Sequence, residues 1–133
     1  MGPLSSSLHQ RLPATPASVT AARHSVASFA ADLQVDLDDI RLAVSEAVAN
    51  AVMHAYADTA RGEIELSAGT SPSALTVTVR DHGRGLRAGG SGSGAGYGLA
   101  IIRRIAEHVE LSDGPDGVSL TMTFPRAAAP SMP

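Results

Sequence analysis

The dominant feature of the hydrophobic pattern is a long helical stretch from about Asp36 to Ala57, apolar on nearly every side. Its acidic start, Asp36 to Asp39, suits the positive end of a helix dipole. A preceding helix is predicted from Ala17–Ser18 to about Leu33, and a third from Tyr97 to about Glu107. Both carry apolar residues at helical spacing, so one face of each should pack against a core.

Alternating apolar and polar residues predict the strands. Leu8 to Leu12 fits a short edge strand, and two later pairs of strands fit hairpins: Glu63–Ala68 with Ala74–Arg80, and Val109–Ser112 with Val118–Phe124. Together these elements predict an α+β, two-layer sandwich in which about three helices cover one face of a mostly antiparallel, mixed sheet. We expect a flexible start at residues 1–7, one domain over 8–125, and a disordered Ala/Pro-rich tail over 126–133.

Composition narrows the functional classes. The 133 residues carry a net charge of −3 and only 3% aromatic residues, without a basic stripe, which argues against nucleic acid as a partner. There is no apolar run of membrane-spanning length, no secretion signal and no Cys, so we expect a cytoplasmic protein without disulfides. Lys is absent too, which excludes a P-loop lysine and a Schiff-base lysine.

Candidate chemistry begins on the second predicted helix. Glu46 and Asn50 are one turn apart and share a stripe with His54, which we interpret as a packing or hydrogen-bonding residue. If the helix is buried, the carboxylate and the amide need partners, and a nucleotide with bound Mg²⁺ would supply them. The alternative is a partly exposed polar seam on an amphipathic helix.

Two glycine-rich loops follow. Asp81 ends a predicted strand and begins the loop Asp81–Gly85, where a carboxylate can accept a hydrogen bond from an exocyclic amine. Gly94–Leu99 stands at a predicted helix start, where free N–H groups bind anions. Taken alone, each loop has a plain alternative: a hairpin turn for the first, a linker and helix cap for the second.

In this order the segments resemble the GHKL ATPase superfamily, and most closely the bacterial anti-sigma factor serine kinases. SEAVANAVMHAY resembles that family's N-box, DHGRGL its first glycine box and GYGLAII its second. The resemblance implies a Bergerat-type ATP site in which Glu46 is the general base and Asn50 coordinates Mg²⁺. It also implies that Asp81 contacts adenine. The remaining implied nucleotide-binding residues belong to the glycine boxes: Gly83, Gly85, Gly94, Gly96, Tyr97, Gly98 and Leu99.

The resemblance further implies what such a protein does. Its members phosphorylate a serine on an anti-sigma factor antagonist, bind and hold a sigma factor, and usually form homodimers. Two features differ from the family pattern: the segment Leu86–Ala95 is short and mostly Gly, Ser and Ala, and Met53 stands where many relatives have a polar or basic residue. The alternatives are a regulatory binding module with little transfer, the catalytic half of a histidine kinase, and another kind of ATPase.

Overall fold

The computed structural model of the chain describes residues 7–57, 62–81, 93–114 and 117–127, without the side chains of 54–57, 93–98 and 113–114. The described elements are, in chain order, β1 (Ser7–Pro13), α1 (Pro16–Ala30), α2 (Leu37–Ala57), β2 (Glu63–Thr70), β3 (Ala74–Asp81), α3 (Ser93–Ile105), β4 (His108–Gly114) and β5 (Gly117–Pro125).

The five strands form one sheet in the order β1-β2-β3-β5-β4. Every pairing among these described strands is antiparallel, where the sequence predicted a mostly antiparallel, mixed sheet. Gly117, the first residue of β5, has a φ of 131°, which a residue with a Cβ would adopt only at a cost. The predicted α+β two-layer fold is confirmed.

One face of the sheet carries the core. The registers place the buried residues of the three central strands opposite one another on the same side, as in Leu66–Val79 and Val77–Met122. Helix α2 packs on these strands, with α1 and α3 beside it. The opposite face carries short hydroxyl side chains, among them Thr78 and Thr121, whose Oγ1 atoms are 3.1 Å apart. Because apolar residues alternate with polar ones along each strand, one face is buried and the other is not.

Helix α2 begins where the sequence predicted. The Asp36 carboxylate accepts a hydrogen bond from the Asp39 N–H at 3.1 Å, and the Asp36 carbonyl accepts one from Ile40 N–H at 3.1 Å. Asp36 is therefore the N-cap residue, and it satisfies donors that a helix start leaves unpaired.

The limits of the other helices differ from the prediction. Helix α1 ends at Ala30 rather than Leu33, because the chain turns there, with Leu33 N–H donating to the Ala30 carbonyl. Helix α3 begins four residues earlier than predicted and ends at Ile105, since Glu107 N–H already pairs with Thr123 of the sheet. The early start was hidden by glycines, each of which disfavours a helix by about 1 kcal/mol relative to Ala.

The last described residues, Arg126 and Ala127, are hydrogen-bonded to the rest of the domain. Arg126 N–H donates to the Ser73 carbonyl and Ala127 N–H to the Gln34 carbonyl, both at 3.0 Å. The Arg126 guanidinium also donates to the Ser71 carbonyl at 2.9 Å. These two residues, which the sequence assigned to a disordered tail, therefore join the β2–β3 turn to the α1–α2 connection. Ser7 at the other end, assigned to a flexible start, is paired in β1.

The core predicts a measurable difference between two leucines. Leu66 is completely buried beneath the helices, whereas Leu111 on the outer strand β4 is 38% exposed. Leu66→Ala should lower the free energy of unfolding by about 3 kcal/mol, because it removes buried methylenes and leaves a cavity. Leu111→Ala, the matched control, should cost about 1 kcal/mol or less. Equal losses in urea denaturation would contradict this placement of the core.

Candidate functional site

Helix α2 is covered on three sides. The sheet lies beneath it, α1 packs along one flank and α3 along the other. Its buried residues form a continuous apolar surface: Ile40, Ala43, Val44, Ala47, Val48, Ala51 and Val52. Among the described residues, no element packs on the fourth side of α2, which we call its open side.

Glu46 and Asn50 lie on this open side, and both are partly buried. Leu42 and Met53 lie on the same stripe and are 46% and 58% exposed. The prediction that α2 is buried nearly all round is therefore wrong, and the alternative of a partly exposed seam describes the exposure better. The reason is geometric, because small Ala and Val side chains suffice to pack α2 on three sides and leave the fourth to solvent.

The partial exposure of Glu46 and Asn50 means that neither side chain needs a ligand in order for the protein to fold. A fully buried carboxylate would need a partner for the protein to fold, whereas a partly exposed one is hydrated in the free protein. Glu46 and Asn50 are thus available to an incoming molecule. Side chains on a helix lean toward its N-terminus, so Asn50 reaches over the turn that carries Glu46.

Asp81 is the buried acid of the described chain. It ends β3, is 2% exposed, and lies opposite Ile64 on the helix-covered face of the sheet. Its Oδ1 accepts a hydrogen bond from the Val118 N–H at 3.3 Å, which ties the end of β3 to the start of β5. A carboxylate in this position is held at the edge of the core, directly before the glycine loop that follows it in the sequence.

A contact between α1 and α2 was not predicted. Arg23 Nη1 donates to Ser45 Oγ at 3.3 Å, and Ser45 Oγ donates to the Arg41 carbonyl at 2.7 Å. Ser45 precedes Glu46, so this contact helps fix the rotation of α2 beside the candidate base. Two positions 22 residues apart give no periodic pattern from which such a contact could be read.

The glycine boxes are only partly described. Gly83 and Gly85 lie outside the described residues. Gly94, Gly96, Tyr97 and Gly98 fall within the first turns of α3, whose backbone is described without their side chains. Leu99 is partly buried and packs against the core from α3. The structure thus brings Glu46 and Asn50 together on α2, places Asp81 at the end of a strand on which α2 packs, and puts the second box on the helix that flanks α2.

One feature of the stripe escaped sequence reasoning. Leu42 was read as part of an all-round apolar helix, yet it is among the three large hydrophobic side chains exposed in the described part of the chain. Its position on the helix could have indicated this exposure, since Leu42 precedes Glu46 by four residues and lies on the same stripe.

Among the described helices, none combines the length and the apolar character needed to cross a lipid bilayer.

Curated relatives match roughly half of the chain. The anti-sigma F factor of Anoxybacillus flavithermus is 35% identical over 82 residues, 59% of this chain and 56% of that protein. The serine-protein kinase RsbW of Bacillus velezensis is 35% identical over 79 residues, 57% of this chain and 49% of that protein. The chain thus spans about half the length of the curated relatives it matches.

Solved structures match more of the chain. The crystal structure of the RsbU and RsbW domains of Rv1364c from Mycobacterium tuberculosis covers 92% of this chain, with a TM-score of 0.70 and 28% identity, although the match is only 33% of that chain. A histidine kinase domain from Erythrobacter litoralis covers 85% of this chain and 61% of its own, with a TM-score of 0.55. Its 22% identity shows a shared fold alone.

The family assignment comes from the sequence as a whole. Residues 12–124 match the family described as the histidine kinase-like ATPase domain, a range that runs from β1 to β5 and includes all three described helices. The stripe on α2 and the buried acid that ends β3 both lie within it. The chain belongs to the histidine kinase-like ATPase domain family.

Proposed function

We propose that this chain is a Mg²⁺- and ATP-dependent serine protein kinase of the anti-sigma factor type. The observation that carries the proposal is the pairing of Glu46 and Asn50, one turn apart on the side of α2 that no described element covers. The family assignment supports ATP as the nucleotide, and relatives named anti-sigma F factor and serine-protein kinase support the reaction.

The residues fit a magnesium nucleotide. Asn50 offers a neutral amide oxygen on an accessible surface, and Mg²⁺ prefers few protein ligands combined with phosphate oxygens and water. In the proposal Asn50 holds the metal, which supplies charge neutralisation on the phosphates when bound. Asp81 accepts a hydrogen bond from the adenine amine. Gly83 and Gly85 shape the base pocket, and Gly94, Gly96, Tyr97, Gly98 and Leu99 border the phosphates.

Glu46 has the role of general base. It accepts the proton of a serine hydroxyl as that oxygen bonds to the terminal phosphorus of ATP, the bond to the bridging oxygen breaks, and ADP leaves. A partly exposed carboxylate suits this role, because a hydroxyl from another protein can reach it. Catalysis is then mainly positioning, since phosphoryl transfer asks for little covalent chemistry from the protein.

Two protein partners complete the proposal. An anti-sigma factor antagonist provides the acceptor serine. This chain forms a homodimer, which binds and holds a sigma factor. The names of the relatives support the sigma factor, and the resemblance to the anti-sigma factor serine kinases supports the antagonist and the dimer. A regulatory module that binds its partner without transfer is the alternative, and the assay below distinguishes the two.

The first test concerns nucleotide recognition. Calorimetry of the wild-type protein should show Mg²⁺-dependent ATP binding, and saturation at a hundredfold over Kd should stabilise the fold by about 2.7 kcal/mol. Asn50→Ala should remove the Mg²⁺ dependence of the Kd. Asp81→Asn retains an oxygen for the Val118 N–H, so its stability without nucleotide should stay close to that of the wild type.

The variant Asp81→Asn should also lose selectivity for adenine over guanine. The Asp81 carboxylate accepts from the adenine amine and repels the guanine carbonyl, whereas an amide can serve either base. Asp81→Asn should therefore reduce the preference for ATP over GTP by about tenfold or more. An unchanged preference would place the base elsewhere.

The second test concerns transfer. Incubation with γ-labelled ATP, Mg²⁺ and a panel of purified anti-sigma factor antagonist proteins should label a serine of one of them. Glu46→Gln should lower the rate by about 10²–10⁴-fold while leaving the Kd for ATP near the wild-type value. Partner binding without label, unaffected by Glu46→Gln, would support the regulatory module instead.

A further inference from the structure

We propose that the exposed side chain of Leu42 is a docking point for the acceptor protein, where it receives an aliphatic side chain next to the acceptor serine. This inference rests on the proposed kinase function, because it concerns the surface beside the candidate base. Its occupant is the antagonist protein that donates the serine hydroxyl.

Leu42 lies on the side of α2 that no described element of the domain covers. Leu42 is 46% exposed on the open side of α2, while seven neighbours on that helix are buried. Only Met53 and Leu111 are comparable large hydrophobics in the described part of the chain. A partner that docks beside Glu46 and covers this side chain would gain the free energy of burying its exposed apolar surface.

The position of Leu42 relative to Glu46 indicates that the partner is the acceptor protein. Leu42 precedes Glu46 by four residues, which places their Cα atoms about 6 Å apart along the helix axis. Helical side chains lean toward the N-terminus, so the Glu46 carboxylate extends over the turn that carries Leu42. When the acceptor serine reaches the Glu46 carboxylate, the residues next to that serine must contact the turn of α2 that carries Leu42.

The order of groups along the stripe separates the two substrates. Asn50, the proposed metal ligand, lies one turn on the C-terminal side of Glu46, and Leu42 lies one turn on the N-terminal side. The phosphoryl donor therefore occupies the Asn50 end. The acceptor approaches from the Leu42 end, with the base between them.

The charges around Leu42 define the chemistry of the occupant. Asp38 and Asp39 precede it by a turn and Glu46 follows it by a turn, all on α2. Arg41 offsets part of this charge through its 3.2 Å ion pair with Asp38. An apolar spot bordered by carboxylates favours an aliphatic side chain on an acceptor surface that is neutral or basic.

The experiment is steady-state transfer to the acceptor that is labelled in the panel above. Leu42→Gln keeps a good helix former and adds no charge beside Glu46, and Leu42→Met keeps an apolar side chain of similar volume. Leu111→Gln on β4 is the matched control, since it alters an equally large exposed leucine away from α2. Melting temperature and ATP binding are measured for each variant.

Leu42→Gln should raise the KM for the acceptor by about tenfold and leave the KM for ATP unchanged. Leu42→Met and Leu111→Gln should stay within about twofold of the wild-type KM. An unchanged acceptor KM in Leu42→Gln would overturn the inference, and so would an equal rise in Leu111→Gln. Absence of label with the wild-type protein would instead reject the proposed kinase function.

Discussion

The packing of α2 against three neighbours is the constraint on which the rest of the structure depends. Its Ala and Val side chains are small enough for the sheet, α1 and α3 all to approach the helix closely. No other described element packs on α2, and Glu46 and Asn50 lie on the remaining side of the helix. Glu46 and Asn50 are accessible for the same reason that the core is well packed.

The strand that lies under α2 connects the core with the rest of the site. Val77 and Val79 of β3 are buried beneath the helices, and Asp81 continues the same alternation to the end of the strand. The carboxylate is thereby fixed by the register of the sheet and by the Val118 N–H. Sites positioned by regular elements in this way are held more precisely than sites built from loops alone.

Much of this arrangement could be predicted from the sequence. Strict alternation identified the strands β2 and β3, and the acidic run Asp36 to Asp39 located the start of α2. The ordered motifs also indicated the family correctly. These features depend on neighbours within a few residues, where periodicity and capping preferences are informative.

Other features depend on contacts distant in sequence. The exposure of Leu42 and Met53 follows from how many neighbours α2 has, and a single apolar helix gives no means of counting them. The Arg23–Ser45 contact and the attachment of Ala127 to Gln34 join separate elements. Gly94 and Gly96 concealed the start of α3, because intrinsic propensity disfavours glycine in a helix that the fold nonetheless forms.

The central claim is that the open side of α2 faces a metal-bound nucleotide, and NMR with Mn²⁺ in place of Mg²⁺ tests it most directly. Asn50 is the only asparagine, and Gln10 and Gln34 are the only glutamines, so the chain has three side-chain amide groups, each with its own pair of N–H signals. With ATP and substoichiometric Mn²⁺, the Asn50 signal should broaden beyond detection while those of Gln10 and Gln34 stay sharp. An unaffected Asn50 signal, or equal broadening of all three, would contradict the account.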